Sequence, residues 1–125
     1  MAWQIEYQHN PYYYCQRLVS MITGHDIDTV IEVMGKGRKF PSSAFKKAFR
    51  ALGFNCNDRF TKLDIESEHP SILRSRIKDV DSYWFACVMN DGKLYIPGYG
   101  VFGFDEYFTG NGQDCTPTSQ LNVWM

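Results

Sequence analysis

The chain has no apolar run approaching the ~20 residues that span a membrane. Its start, MAWQIEYQHN, lacks the basic residues and apolar stretch of a signal peptide. A cytoplasmic location without a membrane partner is therefore expected. Charge imbalance is also missing: the net charge is -1, so no global field draws the protein to nucleic acid or an anionic surface. Nucleic acid is accordingly disfavoured as a partner. The four cysteines, Cys15, Cys56, Cys87 and Cys115, form no C-x-x-C pair and no zinc spacing. Free, mostly buried thiols in a reducing compartment are expected. The three histidines, His9, His25 and His69, are scattered, and none falls in a strand beside an aspartate that could orient it. Surface or capping roles suit them better than catalysis, and they are too few for a metal site. No metal and no cofactor are expected. The Gly35-Lys36-Gly37 triplet lacks the P-loop pattern.

What is present is a 125-residue chain with 44% hydrophobic and 22% charged residues, normal for one globular domain. A chain of this size buries roughly 65% of its unfolded surface. The aromatic share of 16%, with 3 Trp, 8 Tyr and 9 Phe, exceeds what a small core needs. Some of these rings are expected on a binding surface, and the surplus leaves room for a homodimer.

The first half reads helical. Leu18, Met21 and Ile22 fall at helical spacing, and Gly24 can end that helix. His25 or Asp26 opens a second segment with Ile27, Val30, Ile31 and Met34 on one face. Ser42 or Ser43 is expected to cap a third helix, in which Phe45, Ala48, Phe49 and Leu52 form an apolar stripe and Gly53 stands at the C-terminal cap. In the second half, residues 69–80 suggest a short helix and SYWFACVMN a buried strand. Asn90-Asp91-Gly92 marks a hairpin turn before KLYIPG. VFGFDEYF reads as a loop and helical turn, and SQLNVWM as a final strand. Helices followed by an antiparallel sheet predict an α+β fold over a single domain, residues 1–125.

The segment QHNPYYYCQRLVSMITG, with the helix DIDTVIEVMG and Leu52-Gly53 after it, resembles the opening of papain-like cysteine peptidases. The branch it is most similar to is the bacteriocin-leader (double-glycine) peptidase family. That family places a Gln, five residues, then the nucleophilic Cys at the start of a helix. Its His begins a strand, and its Asp stands on the partner strand just before Pro. In this chain the resemblance sets Gln8 at the oxyanion side, Tyr14 at the nucleophile, Tyr83 (or Trp84) at the His and Ile96, before Pro97, at the Asp. Only Gln8 matches. The resemblance implies N-terminal helices packed on a C-terminal antiparallel sheet. It also implies a binding role: the peptidase-like domains of haemolysin-type exporters carry Tyr at the nucleophile and bind unfolded substrate, although they usually keep the His.

Chemistry explains why the departures matter. Thiolate nucleophiles need a neighbouring imidazolium, and that imidazole needs a third group to orient it. Tyrosine, with a pKa of ~10, is a poor nucleophile toward amides at neutral pH. The expected function is thus a catalytically inactive peptidase-like protein. It would engage a peptide segment or protein partner through a cleft formed by Gln8, Tyr12, Tyr14, Tyr83 and Trp84, in keeping with a phage or mobile-element accessory or inhibitor protein. Two alternatives stand beside it. One is an active cysteine peptidase or acyltransferase using Cys15. A one-residue step turns a side chain by ~100°, so Cys15 is expected to aim away from the cleft. The other is a nucleotide- or nucleic-acid-binding module using the basic cluster Lys36, Arg38, Lys39, Lys46, Lys47 and Arg50. Solvated faces account for that cluster equally. Trp84 and Phe85 alternate along the strand, so one is expected to face the core and the other the cleft. Trp3 and Trp124 are expected to pack near the termini.

Overall fold

The computed structural model describes residues 5–64, 67–78, 83–88, 92–110 and 115–125, with 87, 88, 109 and 110 described by backbone alone. Trp3 and the expected turn residues Asn90 and Asp91 lie outside the described residues.

The helical half follows its local signals. Helix α1 (Tyr14–Thr23) ends at Gly24, which takes φ 78° and donates its N–H to the Ser20 carbonyl. Asp26 caps α2 (Ile27–Met34), its carboxylate accepting the Thr29 N–H at 2.8 Å. Helix α3 (Ser42–Ala51) closes with paired bonds: Gly53 N–H to Arg50 O, and Phe54 N–H to Phe49 O. Its start differs from expectation. Pro41 occupies the N-cap and no side chain caps the helix, because the Ser42 hydroxyl instead accepts a hydrogen bond from Arg74. The predicted stripes turn toward the core: Leu18, Met21, Ile22, Val30, Phe45, Ala48 and Phe49 are buried, whereas Ile27, Ile31, Met34 and Leu52 are only half-buried.

The second half is a seven-stranded antiparallel sheet among the described residues. Its members are β1 (Asn55–Cys56), β2 (Thr61–Lys62), β3 (Ser71–Ile77), β4 (Tyr83–Val88), β5 (Lys93–Ile96), β6 (Gly100–Gly103) and β7 (Cys115–Trp124). The order is β1-β7-β3-β4-β5-β6, with β2 also on β7. Helix α4 (Phe104–Gly110) precedes β7. The fold is α+β.

Two elements contradict the sequence expectation. Val101-Phe102-Gly103, read as loop, belongs to strand β6 paired with β5. The second is more central. The short helix expected within residues 69–80 is the central strand β3, paired to β4 from Ser71↔Val88 to Arg76↔Tyr83 and to β7 on its other side. Adjacent Ile72 and Leu73 are both fully buried, one in the core under α1–α3 and the other in the core under α4. Burial on both faces removes the alternation that identifies a strand. β7 is likewise longer than expected. Its Pro117 is accommodated where the β3–β7 register shifts beside Ser75.

The sheet thus separates two cores. Ile72, Phe85, Leu121 and Val123 face α1–α3, whereas Leu73, Ala86, Leu94 and Ile96 face Phe104 of α4. The segment before α1 crosses to the second half. Tyr7 donates its hydroxyl to the Ile96 carbonyl at 2.9 Å. Pro11 lies so close to Gly98 (φ 84°) that a Cβ there would stand 2.5 Å from the Pro11 Cβ. Only glycine fits this crossing.

The Ser75 hydroxyl is fully buried and has no hydrogen-bond partner among the described residues. Removing an unsatisfied group relieves its desolvation, so Ser75→Ala is expected to leave stability unchanged or raise it by up to about 1 kcal/mol. Chemical denaturation checks this, and a loss above about 1 kcal/mol would contradict it.

Candidate functional site

The first turn of α1 reaches three other segments, and each contact follows from one side chain. Tyr14 donates its hydroxyl to the Phe85 carbonyl of β4 at 2.6 Å. Gln16, only 1% exposed, donates from Nε2 to the carbonyls of Gly35 and Gly37 at 2.8 and 3.0 Å. Arg17 donates from Nε to the Tyr12 carbonyl and from Nη1 to Gln8 Oε1. These bonds hold the tyrosine run and the Gly35–Gly37 loop at the same end of the helix. Sequence reasoning missed Gln16 and Arg17. Their signal was two polar residues at the start of an apolar helix, where a buried polar side chain must find partners.

Tyr13, immediately before α1, sits in the left-handed region at φ 55°, ψ 51°. It is the one non-glycine residue with positive φ among the described residues. For a bulky L-residue this conformation costs about 1 kcal/mol or more, and the Arg17 anchor on the neighbouring Tyr12 carbonyl helps to hold it. Tyr12, 74% exposed, and Tyr13 are thereby turned to solvent.

Three adjoining cavities open along this end of the molecule. The first, about 500 Å³, lies between Tyr12–Tyr14 and the Lys36–Arg38 loop. The second, about 380 Å³, is lined by Cys15, Arg38, Lys39, Phe40, Tyr83 and Phe85 among others. The third, about 330 Å³, is bordered by Ser42, Lys46, Arg59, Phe60 and Arg74. Arg38 is shared by the first and second, and Ser42 by the second and third. The three therefore form one groove past the starts of α1 and α3.

The expected site residues divide as follows. Tyr12, Tyr14 and Tyr83 line the groove. Gln8 does not border it: its Nε2 donates to Ser20 Oγ at 2.8 Å and its Oε1 accepts from Arg17. Trp84 and Ile96 open on the opposite face of the sheet, in a separate cavity of about 280 Å³ with Tyr99, Phe102 and Tyr107. The alternation of Trp84 and Phe85 is thus present, but Phe85 faces the α1–α3 core beside the groove and Trp84 faces α4. Cys15 departs from expectation. It borders the same cavity as Tyr83, while the Tyr14 hydroxyl is tied to β4. The 100° step does not carry Cys15 out of the groove, because the groove extends along both sides of the start of α1.

The Cys15 thiol is not activated. Burial pushes its pKa from 9.0 up to about 11, so it stays protonated at neutral pH. None of the histidines lines the groove. His25 packs edge-on to Phe54, His69 pairs with Glu68 and Trp124, and His9 lies against Tyr7. Among the described residues no cluster of three or more His, Cys, Asp or Glu is assembled that could hold a metal. No described helix is long and apolar enough to cross a membrane. Cys15 and Cys56 are free thiols.

The basic cluster is split by its partners. Arg50 bonds Asp58 at 2.7 Å, which holds that carboxyl below its usual range. Lys36, Arg38, Lys39 and Lys46 border the groove. Arg74 joins them from β3, its guanidinium 4.9 Å over the Phe60 ring and 4.8 Å over the Tyr83 ring. No protein-family model, no curated protein and no solved structure matches the chain.

A raised thiol pKa makes stability pH-dependent. The unfolded chain ionises Cys15 near pH 9 and the folded chain near 11. The stabilisation is therefore complete below pH 9 and lost as pH rises toward 11, up to about 2–3 kcal/mol. The Tm difference between wild type and Cys15→Ala should shrink between pH 8 and pH 10.5. Parallel curves would contradict the buried, unactivated thiol.

Proposed function

We propose that this chain is a catalytically inactive, papain-like binding protein that takes a peptide segment of a protein partner into the groove at the start of α1. The observation that carries this reading is the lining of that groove. Aromatic and cationic side chains surround a protonated thiol, with no imidazole to ionise it. Tyrosine offers large contact area at low entropy cost and keeps a hydroxyl for hydrogen bonding, which suits recognition. Helices preceding an antiparallel sheet, with the start of the first helix against β4, support the papain-like part of the reading.

The groove differs from the cleft outlined by the sequence. Tyr12, Tyr14 and Tyr83 remain in it, and Cys15, Phe40 and Arg74 join them. Gln8 becomes a positioning residue through Arg17, and Trp84 is left out. An accessory role that inhibits a host factor by occupying such a segment is consistent with a small binding domain.

The test is a display selection of random 12-residue peptides, followed by binding measurements. Selected peptides should lose at least tenfold in affinity with Tyr12→Ser combined with Tyr83→Ser, and should be unaffected by Trp84→Ala. Mass spectrometry should find them intact after prolonged incubation, with wild type and with Tyr14→Cys alike. Cleavage that depends on Cys15 would overturn the inactive reading. Binding insensitive to the tyrosine pair would move the site elsewhere.

A further inference from the structure

The charge of the groove identifies its ligand more closely than its shape does. Lys36, Arg38, Lys39, Lys46, Arg59 and Arg74 border it, six of the 13 Lys and Arg in a chain of net charge -1. Asp58 is the one carboxylate lining it among the described residues, and Asp58 is engaged by Arg50 at 2.7 Å. Six cations held around one described carboxylate repel one another, and a ligand of opposite sign relieves that repulsion.

Arg74 is the fixed point of this arrangement. It projects from the central strand β3, half-buried. Its Nε donates to Ser119 Oγ and its Nη1 to Ser42 Oγ, both at 3.0 Å. The Phe60 and Tyr83 rings flank it within 5 Å. No described carboxylate forms an ion pair with it. A guanidinium oriented in advance by two hydroxyls and two rings loses little freedom on meeting an oxyanion, and its planar fork suits a carboxylate.

We infer that the segment bound in this groove is acidic, with one carboxylate docked at Arg74 and others along Arg38, Lys39 and Arg59. The inference rests on the groove reading above. A short acidic peptide fits better than a nucleic acid for a reason of extent. Among the described residues outside the groove, seven Lys and Arg stand against eight Asp and Glu, so the basic character ends with the groove. A polyanion longer than the groove would find no basic track continuing beyond it. The apolar floor of Phe40, Phe60 and Phe85 also accepts the side chains that alternate with carboxylates in a peptide.

The experiment uses fluorescein-labelled degenerate 12-residue peptide pools of Tyr, Leu, Ser and Gly carrying four Glu, four Gln or four Lys, and the oligonucleotide dT12. Anisotropy is read at 50 and 200 mM NaCl. The Glu pool should bind at least tenfold tighter than the Gln pool at low salt, with the gap narrowing at high salt. Arg74→Gln should weaken the Glu pool selectively. The exposed pair Arg38→Glu and Arg59→Glu, which leaves the packed residues untouched, should shift preference to the Lys pool. Equal binding of the Glu and Gln pools, both lost in Tyr12→Ser, would overturn the acidic assignment and leave the groove standing. Failure of every pool to bind would overturn the groove itself. Tighter binding of dT12 than of the Glu pool would replace the peptide with a nucleic acid.

Discussion

The first turn of α1 is the joint on which this structure depends. In four consecutive residues it bonds the central sheet through Tyr14, lines a cavity through Cys15, holds the Gly35–Gly37 loop through Gln16 and secures the preceding loop through Arg17. Each bond satisfies a buried polar group that would otherwise cost about 1–3 kcal/mol. Together they fix the distance between the tyrosine run and the basic loop, and so the width of the groove between them. The strained backbone of Tyr13 belongs to the same joint. It turns the chain sharply enough for two tyrosines to face solvent while the third reaches β4.

In a cysteine peptidase, the helix start serves to place and ionise a nucleophile. Here the start of α1 holds the tyrosine run and the Gly35–Gly37 loop in place. The thiol next to it is desolvated instead of ionised, and the neighbouring strand presents Tyr83 and Arg74 to the groove instead of an imidazole. On the proposed reading, a site that keeps its thiol protonated and concentrates cations and rings holds a ligand rather than attacking one. Affinity in such a groove comes from contact area and charge complementarity, both of which depend on rigid walls.

How much of this was legible in the sequence varied with how local the cause was. Gly24, Asp26 and Gly53 marked helix ends because capping is decided within a few residues. The stripe Phe45, Ala48, Phe49 marked the core-facing side of α3 because helical spacing is also local. β3 was illegible: SILRSRI has buried residues on both faces and two arginines, and it is a strand only because β4 and β7 pair with it. The site was half legible. Tyr12 and Tyr14 were recognisable as part of an aromatic run, and Tyr83 entered through the resemblance, at the position of the His. Arg74 and Arg59 come from segments distant in sequence from the basic loop and join it only through the fold. Trp84 was set in the cleft as the alternative His position, and alternation with Phe85 gives two faces without saying which one carries it.

The most direct measurement of the central claim is a backbone amide NMR titration of the protein with a Glu-rich 12-residue peptide. Shift changes should concentrate at Tyr12–Tyr14, Gly37–Phe40, Phe60, Arg74 and Tyr83, and leave Phe102–Phe108 unmoved. Changes centred instead on Trp84, Phe102 and Tyr107, with the start of α1 silent, would contradict a groove built on that helix.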